Sequence, residues 1–261
     1  MLEKMKIVVS YKDMIRRLVI RDLRGRYKGS VFGFLWNLIN PLAQIIVYTI
    51  VFSFFFKSGI EKYYLYLGIG MIAWNMFQES LTQGTGSIVA NSGMVSKIYF
   101  PREILPISAA TSRFINMLLA EMIMILIILL SGHGIRISLF PYLLVVFLLE
   151  YFLVIGITII LSGLNVYLRD MEYIVSIVMF AWIWITPVMY ESRDMQMHFL
   201  LRFILNLNPM TAIINALHDI LYYQSVPDAE ALGRVLIFTI FMMIISETIF
   251  IRLEERFVEE L

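Results

Sequence analysis

The segment from residue 35 to residue 56 contains no Asp, Glu, Lys or Arg, and most of its side chains are apolar. A helix of about 20 apolar residues crosses the roughly 30 Å hydrocarbon core of a bilayer, so this segment is long enough to span a membrane. Only 16% of the 261 residues are charged, whereas a soluble domain carries about a quarter. These values exclude a soluble enzyme and predict an all-α, polytopic membrane protein.

Five further apolar segments follow, so the pattern predicts six transmembrane helices. Between the last two, residues 199–207 are apolar but too few to cross a bilayer. Asn208 and Pro209 then supply an N-cap followed by proline at the first helical position, which begins another short helix. We expect two short re-entrant or outer helices here, with one kinked seventh span as the alternative. The predicted spans are about 35–56, 63–81, 104–130, 139–164, 173–190 and 232–251.

The Lys and Arg residues predict the orientation of the chain. With the N-terminus inside, six spans place 14 basic residues in the inner segments and six in the outer ones. Because inner loops of membrane proteins carry an excess of Lys and Arg, both termini are expected in the cytoplasm. Residues 1–34 form the predicted cytoplasmic segment, and residues 35–261 form the transmembrane domain.

The segment before the first span has the pattern of an amphipathic helix. Apolar side chains from Tyr11 to Tyr27 recur every three or four residues, and basic side chains occupy the opposite side. This pattern is typical of a helix that lies in the membrane interface. The helix is either a passive anchor or a site where arginines meet an anionic headgroup, because a guanidinium suits phosphate. The candidates for the second role are Arg21, Arg24, Arg26, Tyr27 and Lys28.

Several kinds of chemistry are missing from the sequence. It has no Cys, its three His residues show no metal-ligand spacing, and the phosphate-binding motif G-x-x-x-x-G-K-[ST] is absent. The net charge of +1 indicates no nucleic-acid partner. We therefore predict no catalytic residue, no metal and no cofactor bound by this chain.

Five ordered motifs give the chain a family resemblance that covers it from about residue 10 to its end. It resembles the permease subunits of polysaccharide-exporting ABC transporters. The motifs lie at 21–42 (Arg-Asp-Leu-Arg-Gly-Arg-Tyr-Lys-Gly-Ser, then Gly-Phe-Leu-Trp and Asn-Pro-Leu), at 97–106 (Lys-Ile-Tyr-Phe-Pro-Arg-Glu, then Leu-Pro), at 164–170 (Leu-Asn-Val-Tyr-Leu-Arg-Asp), at 186–190 (Thr-Pro-Val-Met-Tyr) and at 208–210 (Asn-Pro-Met).

The resemblance implies a homodimer of this chain in the bacterial cytoplasmic membrane, bound to two separate ATPase subunits that hold ATP and Mg. It implies a cargo of O-antigen, capsule or teichoic acid on a lipid pyrophosphate carrier, which enters near the N-terminal helix. The inner loops, at about 87–99 and 168–173, would be coupling helices docked on the ATPases. The coupling candidates are Asn91, Lys97, Ile98, Tyr99, Phe100, Arg102, Arg169, Asp170 and Glu172.

Aromatic side chains are candidates for lining a sugar passage, because flat apolar faces slide along pyranose rings without trapping them. Aromatic residues also form interfacial belts and face lipid, so this role stays one of two alternatives. The candidates are Trp74, Phe77, Phe180, Trp182 and Trp184.

Two ionisable residues, Arg113 and Glu121, lie on one side of the third predicted span. Charges at membrane depth are costly and face protein or a watery cavity. We expect pairing with Glu150 or Glu247 from another helix, in preference to a proton or substrate path.

Two other functions are alternatives. A membrane enzyme of lipid-linked glycan assembly would need paired carboxylates, and Asp170 with Glu172 is the nearest approach. A secondary transporter would need broken helices in both halves of the chain, and only the second half shows them.

Overall fold

The computed structural model describes residues 10–25, 32, 35–54, 59–191 and 198–261, and in these the regular structure is helical. Three helices are long and apolar enough to cross a membrane: 104–130, 137–167 (which includes a leading 3₁₀ turn) and 229–254. The helices are α1 (Lys12–Gly25), α2 (Trp36–Phe54), α3 (Tyr63–Thr85), α4 (Ser92–Val95), α5 (Ile104–Leu130), α6 (Phe140–Tyr167), α7 (Met171–Ile185), α8 (Phe199–Leu207), α9 (Pro209–Leu221), α10 (Ala229–Glu254) and α11 (Phe257–Glu260).

Loops and short helices collect at two opposite faces of the bundle. The terminal face carries α1, residues 86–103, the α6–α7 turn and α11. The loop face carries residues 59–62, 131–139, 186–191 and 222–228. Among the described residues, six helices connect the two faces: α2, α3, α5, α6, α7 and α10.

Hydrogen bonds hold each face together. On the terminal face, Arg21 Nη2 donates to Asn91 Oδ1 over 2.8 Å, and Tyr167 donates to the carbonyl of Leu253 over 2.7 Å. On the loop face, Tyr63 donates to the carbonyl of Met189 over 2.7 Å. The contacts show that the helix nearest the N-terminus and the end of the chain share one face.

The segment between α7 and α10 leaves and re-enters the same face. Tyr66 bonds to the carbonyl of Tyr190, and farther along the chain Tyr222 bonds to the carbonyl of Glu61. Both contacts lie on the loop face, so the segment that contains α8 and α9 begins and ends near residues 61–66. The two short helices are present as expected, and the number of membrane crossings stays a prediction.

α9 begins with the N-cap and the proline that its sequence predicts. Asn208 caps the helix by accepting from the backbone N–H of Met210 over 3.0 Å, and Pro209 stands at the first helical position. Asn208 also donates to the hydroxyl of Thr186 over 2.9 Å, which ties the cap to the end of α7. Most of α9 is buried, and its His218 ring stacks on Tyr66 with centroids 3.7 Å apart.

The predicted fifth span, 173–190, extends beyond its helix, because α7 ends at Ile185. Thr186 is extended, with ψ at 133°, as expected for a residue that precedes proline. At 1.5 Å per residue, the 15 residues of α7 reach about 22 Å, less than the roughly 30 Å of a bilayer core. Non-helical residues that follow Ile185 complete the connection between α7 and the loop face.

The core of the bundle lies where α3, α5, α6, α9 and α10 meet. Two glycines bring backbones close together there. A Cβ on Gly84 of α3 would overlap the methyl group of Thr158 on α6, and one on Gly156 would lie 3.3 Å from the backbone of Met242 and Met243. These contacts leave no room for larger residues between α3, α6 and α10.

We predict that Gly84→Ala destabilises the bundle by about 1–3 kcal/mol, the usual cost of overpacking a core. The measurement is the thermal unfolding midpoint of the purified chain in detergent. Adding Thr158→Ser removes the methyl group that the new Cβ would strike and should restore the midpoint. The control is Gly93→Ala, since nothing lies within 4 Å of a Cβ there. Equal midpoints for the wild type and Gly84→Ala would refute the close contact.

Candidate functional site

The terminal face brings the N-terminal helix and the first predicted coupling loop together. Arg21 of α1 bonds to Asn91, which in turn donates to the carbonyl of Ser87 over 2.8 Å. An open cleft with about 900 Å³ of empty volume lies beneath α1 and is lined by residues of α1, α3, the loop and α5. The contact joins two elements that the sequence presented as separate candidates.

A buried arginine holds α1 against the helix bundle. Arg113 of α5 is 3% exposed, and its Nη2 lies 3.1 Å from Oδ2 of Asp22 in α1. The same guanidinium donates to Gln83, and its Nε lies 3.7 Å from Oε2 of Glu79. The Ser112 hydroxyl also donates to Asp22. Asp22 and Glu79 are therefore the acidic partners of Arg113.

This pairing corrects the expectation for the intramembrane charges. Arg113 pairs with Asp22 and Glu79, neither of which that expectation named. Glu121 and Glu150 are both buried. Among the residues that the structure describes, both carboxyl oxygens of Glu150 and Oε1 of Glu121 have no hydrogen-bond partner. Asp22 was not predicted as a partner, because nothing in the local pattern of α1 indicates a contact with a residue 91 positions away.

The first predicted coupling segment, 87–99, is a short 3₁₀ turn followed by α4 and an exposed tip. Tyr99 is 93% exposed, and Lys97 and Ile98 are exposed beside it. Phe100 is only 3% exposed, because it packs into the core of its own chain. Its side chain therefore anchors the base of the loop, and a contact of Phe100 with a partner stays a prediction that this burial does not favour.

Arg102 makes its contacts within the chain's own terminal face. Its guanidinium lies 3.3 Å from Oε1 of Glu254 and also donates to the carbonyl of that residue over 3.2 Å. The bond joins the start of α5 to the end of α10. Arg102 is consequently engaged within the chain and is not exposed at the loop tip.

The second predicted coupling segment, 168–173, contains no separate helix. It is a turn at Arg169 and Asp170, followed by the first residues of α7. Both turn residues are exposed, whereas Glu172 accepts from Nδ2 of Asn165 over 2.9 Å and lies against Gly86. Glu172 therefore joins this turn to the end of α3, which places the two predicted coupling segments side by side.

The aromatic candidates divide into two groups. Trp74 and Phe77 are fully buried among the chain's own helices, so their side chains face no surface. Trp182 is half-buried and meets Phe77 edge-on with ring centroids 5.7 Å apart. Phe180 and Trp184 are exposed on α7. Only the exposed pair presents a large aromatic surface outside the core.

The basic candidates near the N-terminus are only partly described. Arg24 is exposed and Arg21 bonds to Asn91. Arg26, Tyr27 and Lys28 lie outside the described residues. Among the described residues no cluster of His, Asp and Glu has the arrangement of a metal site.

A polar stripe along α3 was not predicted from the sequence. Asn75, Glu79 and Gln83 recur every four residues and lie on one side of the helix. Asn40 and Gln44 of α2 have the same spacing, and Asn75 donates to Gln44 over 2.9 Å. The i, i+4 repeat of amides within apolar spans was the signal that could have found this surface.

Comparison with known proteins identifies the family. The family described as "ABC-2 type transporter" matches residues 14–222, which include most of α1 and all of α2 to α9. The chain belongs to this family. The match spans the Arg21–Asn91 contact, the buried arginine and the polar stripe.

Named relatives of this ABC-2 chain align along nearly its whole length. It is 28% identical to the O-antigen export system permease protein RfbA of Myxococcus xanthus over 100% of both chains. It is 29% identical to a Klebsiella pneumoniae protein of the same name over 98% of both. The polysialic acid transport protein KpsM of Escherichia coli is 19% identical over 94% of this chain and 95% of its own.

We predict that Asp22→Ala loosens α1 of this ABC-2 chain without unfolding the bundle, because it removes the partner that the buried Arg113 holds on α1. Since the sequence has no Cys, a single Leu18→Cys substitution gives a clean probe of the buried side of α1. Charge-assisted hydrogen bonds contribute about 1.5–3 kcal/mol, so maleimide labelling should be about tenfold faster or more.

The control for this experiment is Asp13→Ala, which removes an exposed acidic residue from the same helix. Its labelling rate should match that of the Leu18→Cys parent. Identical rates for Asp22→Ala and the parent would show that the ion pair does not hold α1.

Proposed function

We propose that this chain is the membrane-spanning permease subunit of an ABC exporter that moves a lipid-linked polysaccharide across the bacterial cytoplasmic membrane. Family membership together with end-to-end similarity to two O-antigen export permeases carries the proposal. O-antigen is the favoured cargo. Capsular polysaccharide is the alternative suggested by the more distant polysialic acid transport protein, and teichoic acid stays a prediction of the sequence.

In this proposal the six helices that connect the two faces span the membrane, and the terminal face lies in the cytoplasm with both termini. The excess of basic residues in the segments of that face supports this orientation. Two copies of the chain form the passage. Because no phosphate-binding motif is present in the sequence, two separate ATPase subunits supply the energy, with ATP and Mg bound there.

The exposed tip of the 87–99 loop is the proposed contact with the ATPase. An aromatic ring that is 93% exposed gains stability when it fills a socket on another protein, and tyrosine is enriched among the residues that dominate binding. Lys97 and Ile98 flank Tyr99, and the turn at Arg169 and Asp170 lies on the same face. The Asn91–Arg21 bond would pass a displacement of this loop to α1.

The exposed basic side of α1 is the proposed entry region for the carrier headgroup. Arg24, with Arg16 and Arg17 on the same helix, is exposed and suits a phosphate group. Arg21 is bonded to Asn91 and is therefore the weaker candidate for binding the headgroup. Lipid pyrophosphate would meet this basic surface before the glycan enters the bundle.

The export proposal is tested by deleting the gene in its own host. Polymer should accumulate on the cytoplasmic side and disappear from the surface, and a tagged copy of the chain should restore export and co-purify with an ATPase. Normal surface polymer after deletion, or glycan processing by the purified chain alone, would contradict it.

We predict that Tyr99→Asp weakens recovery of the ATPase with the tagged chain by more than tenfold, because a charge enters an apolar socket. Tyr99→Phe keeps the ring and should leave recovery unchanged. Phe100→Asp should instead lower the thermal midpoint of the chain itself, since Phe100 is buried. Unchanged recovery and export with Tyr99→Asp would exclude this loop as the contact.

A further inference from the structure

An open cleft lies between α2, α3 and α5, about halfway along the bundle. The volume that the cleft encloses is about 60 Å³, which is enough to hold several water molecules, so a ligand there would be only partly enclosed. The residues that give it polar character are Trp36, Asn40, Asn75, Glu79, Arg113 and Asn116. Asn75 lies 12 residues into α3 from the loop face, and Asn116 lies 12 residues into α5 from the terminal face. Each of these two residues therefore lies about 18 Å from the face at which its helix begins.

Amide side chains at this depth need polar surroundings. Asn40 and Gln44 are exposed, and Asn75 and Asn116 are half-buried. Lipid offers an amide no hydrogen bond, so polar side chains within membrane spans face protein or a water-filled cavity. The cleft consequently faces protein or water and not the lipid tails.

The charge of the cleft selects against an anion. Its one cation, Arg113, already lies beside the carboxylates of Asp22 and Glu79. The lining itself holds one positive group, Arg113, and one negative group, Glu79, and Asp22 pairs with Arg113 from α1, so the cleft offers no excess positive charge to a phosphate. The remaining polar groups are amides, and each amide offers two N–H donors and an acceptor oxygen. The cleft therefore suits an uncharged group rich in hydroxyls.

The aromatic residue of the cleft fits the same class of ligand. Trp36 stands one helical turn before Asn40 on α2, and an indole offers a flat apolar surface to the C–H face of a pyranose ring. Toward the loop face the same groove becomes apolar, with Leu42, Ile45, Ile123 and Met124 among its lining residues. The amide side chains therefore line the half of the groove that is nearer the terminal face.

Resting on the export function proposed above, we propose that this amide cleft is a sugar-contacting subsite of the passage, in which Asn40, Asn75 and Asn116 hydrogen-bond one glycan unit at a time. The cleft is recessed between three helices of one chain, which favours a sugar over the flat side of a helix from a second copy. In this assignment the amides make the specific contact with the polymer, whereas the basic side of α1 meets the charged carrier.

The first experiment measures export by cells that carry Asn75→Leu with Asn116→Leu beside the partner ATPase. The host's own surface polymer is the probe and is quantified with an antiserum raised against it. Loss of one hydrogen bond corresponds to roughly a fivefold change in equilibrium, so surface polymer should fall at least fivefold while ATPase recovery stays unchanged. Asn215→Leu is the matched control, since Asn215 is a half-buried amide on α9 outside the cleft.

The second experiment places a photo-crosslinking benzoylphenylalanine at position 40, with position 237 as the control because Ile237 is exposed on α10. The proposal expects a glycan adduct from position 40 and none from position 237. This measurement decides the matter if the double Leu variant fails to fold.

Two results would overturn the subsite: full export by a folded double Leu variant, or an adduct of position 40 with a second copy and no glycan. The failure of the export proposal has a different signature, because deletion of the whole gene would then leave the surface polymer unchanged. The two failures are therefore distinguishable in the same strain.

Discussion

A guanidinium at membrane depth is poorly hydrated, so the protein must neutralise it with its own carboxylates. Arg113 meets this requirement with one carboxylate from α1 and one from α3. The pair with Asp22 holds an amphipathic helix against the bundle, and the Arg21–Asn91 bond then links that helix to the 87–99 loop. Entry region, loop and cleft all depend on this one side chain, because each contacts Arg113 or a helix that it binds.

Features set by local rules could be predicted from the sequence. The Asn208–Pro209 helix start follows from capping and from the fixed φ of proline. Each of the six predicted spans overlaps a helix, and among the described residues three of these helices are long and apolar enough to cross a membrane. α7 ends five residues before the end of its predicted span because Pro187 forces Thr186 into an extended conformation. Periodicity also identified α1, whose buried residues Leu18 and Val19 lie on its predicted apolar side.

Features set by contacts between distant segments could not be predicted. Tyr99 and Phe100 are neighbours of similar hydrophobicity, yet one is exposed and the other is buried, and no local pattern distinguishes them. Trp74 and Phe77 were chosen for their chemistry, but burial depends on α7 and its Trp182, which are about 100 residues away. The partner of Arg113 was missed for the same reason, since Asp22 precedes it by 91 positions.

The contact of Gly84 with Thr158 limits how the protein can move. Two helices packed backbone to side chain with no spare volume cannot slide past one another, because well-packed interiors are not continuously deformable. Together with Gly156 against α10, this contact makes α3, α6 and α10 a single rigid body. Any opening of the bundle must therefore come from its periphery, where α2 and α7 expose much of their apolar surface. The packed centre thus restricts any change of shape in the bundle to the helices around it.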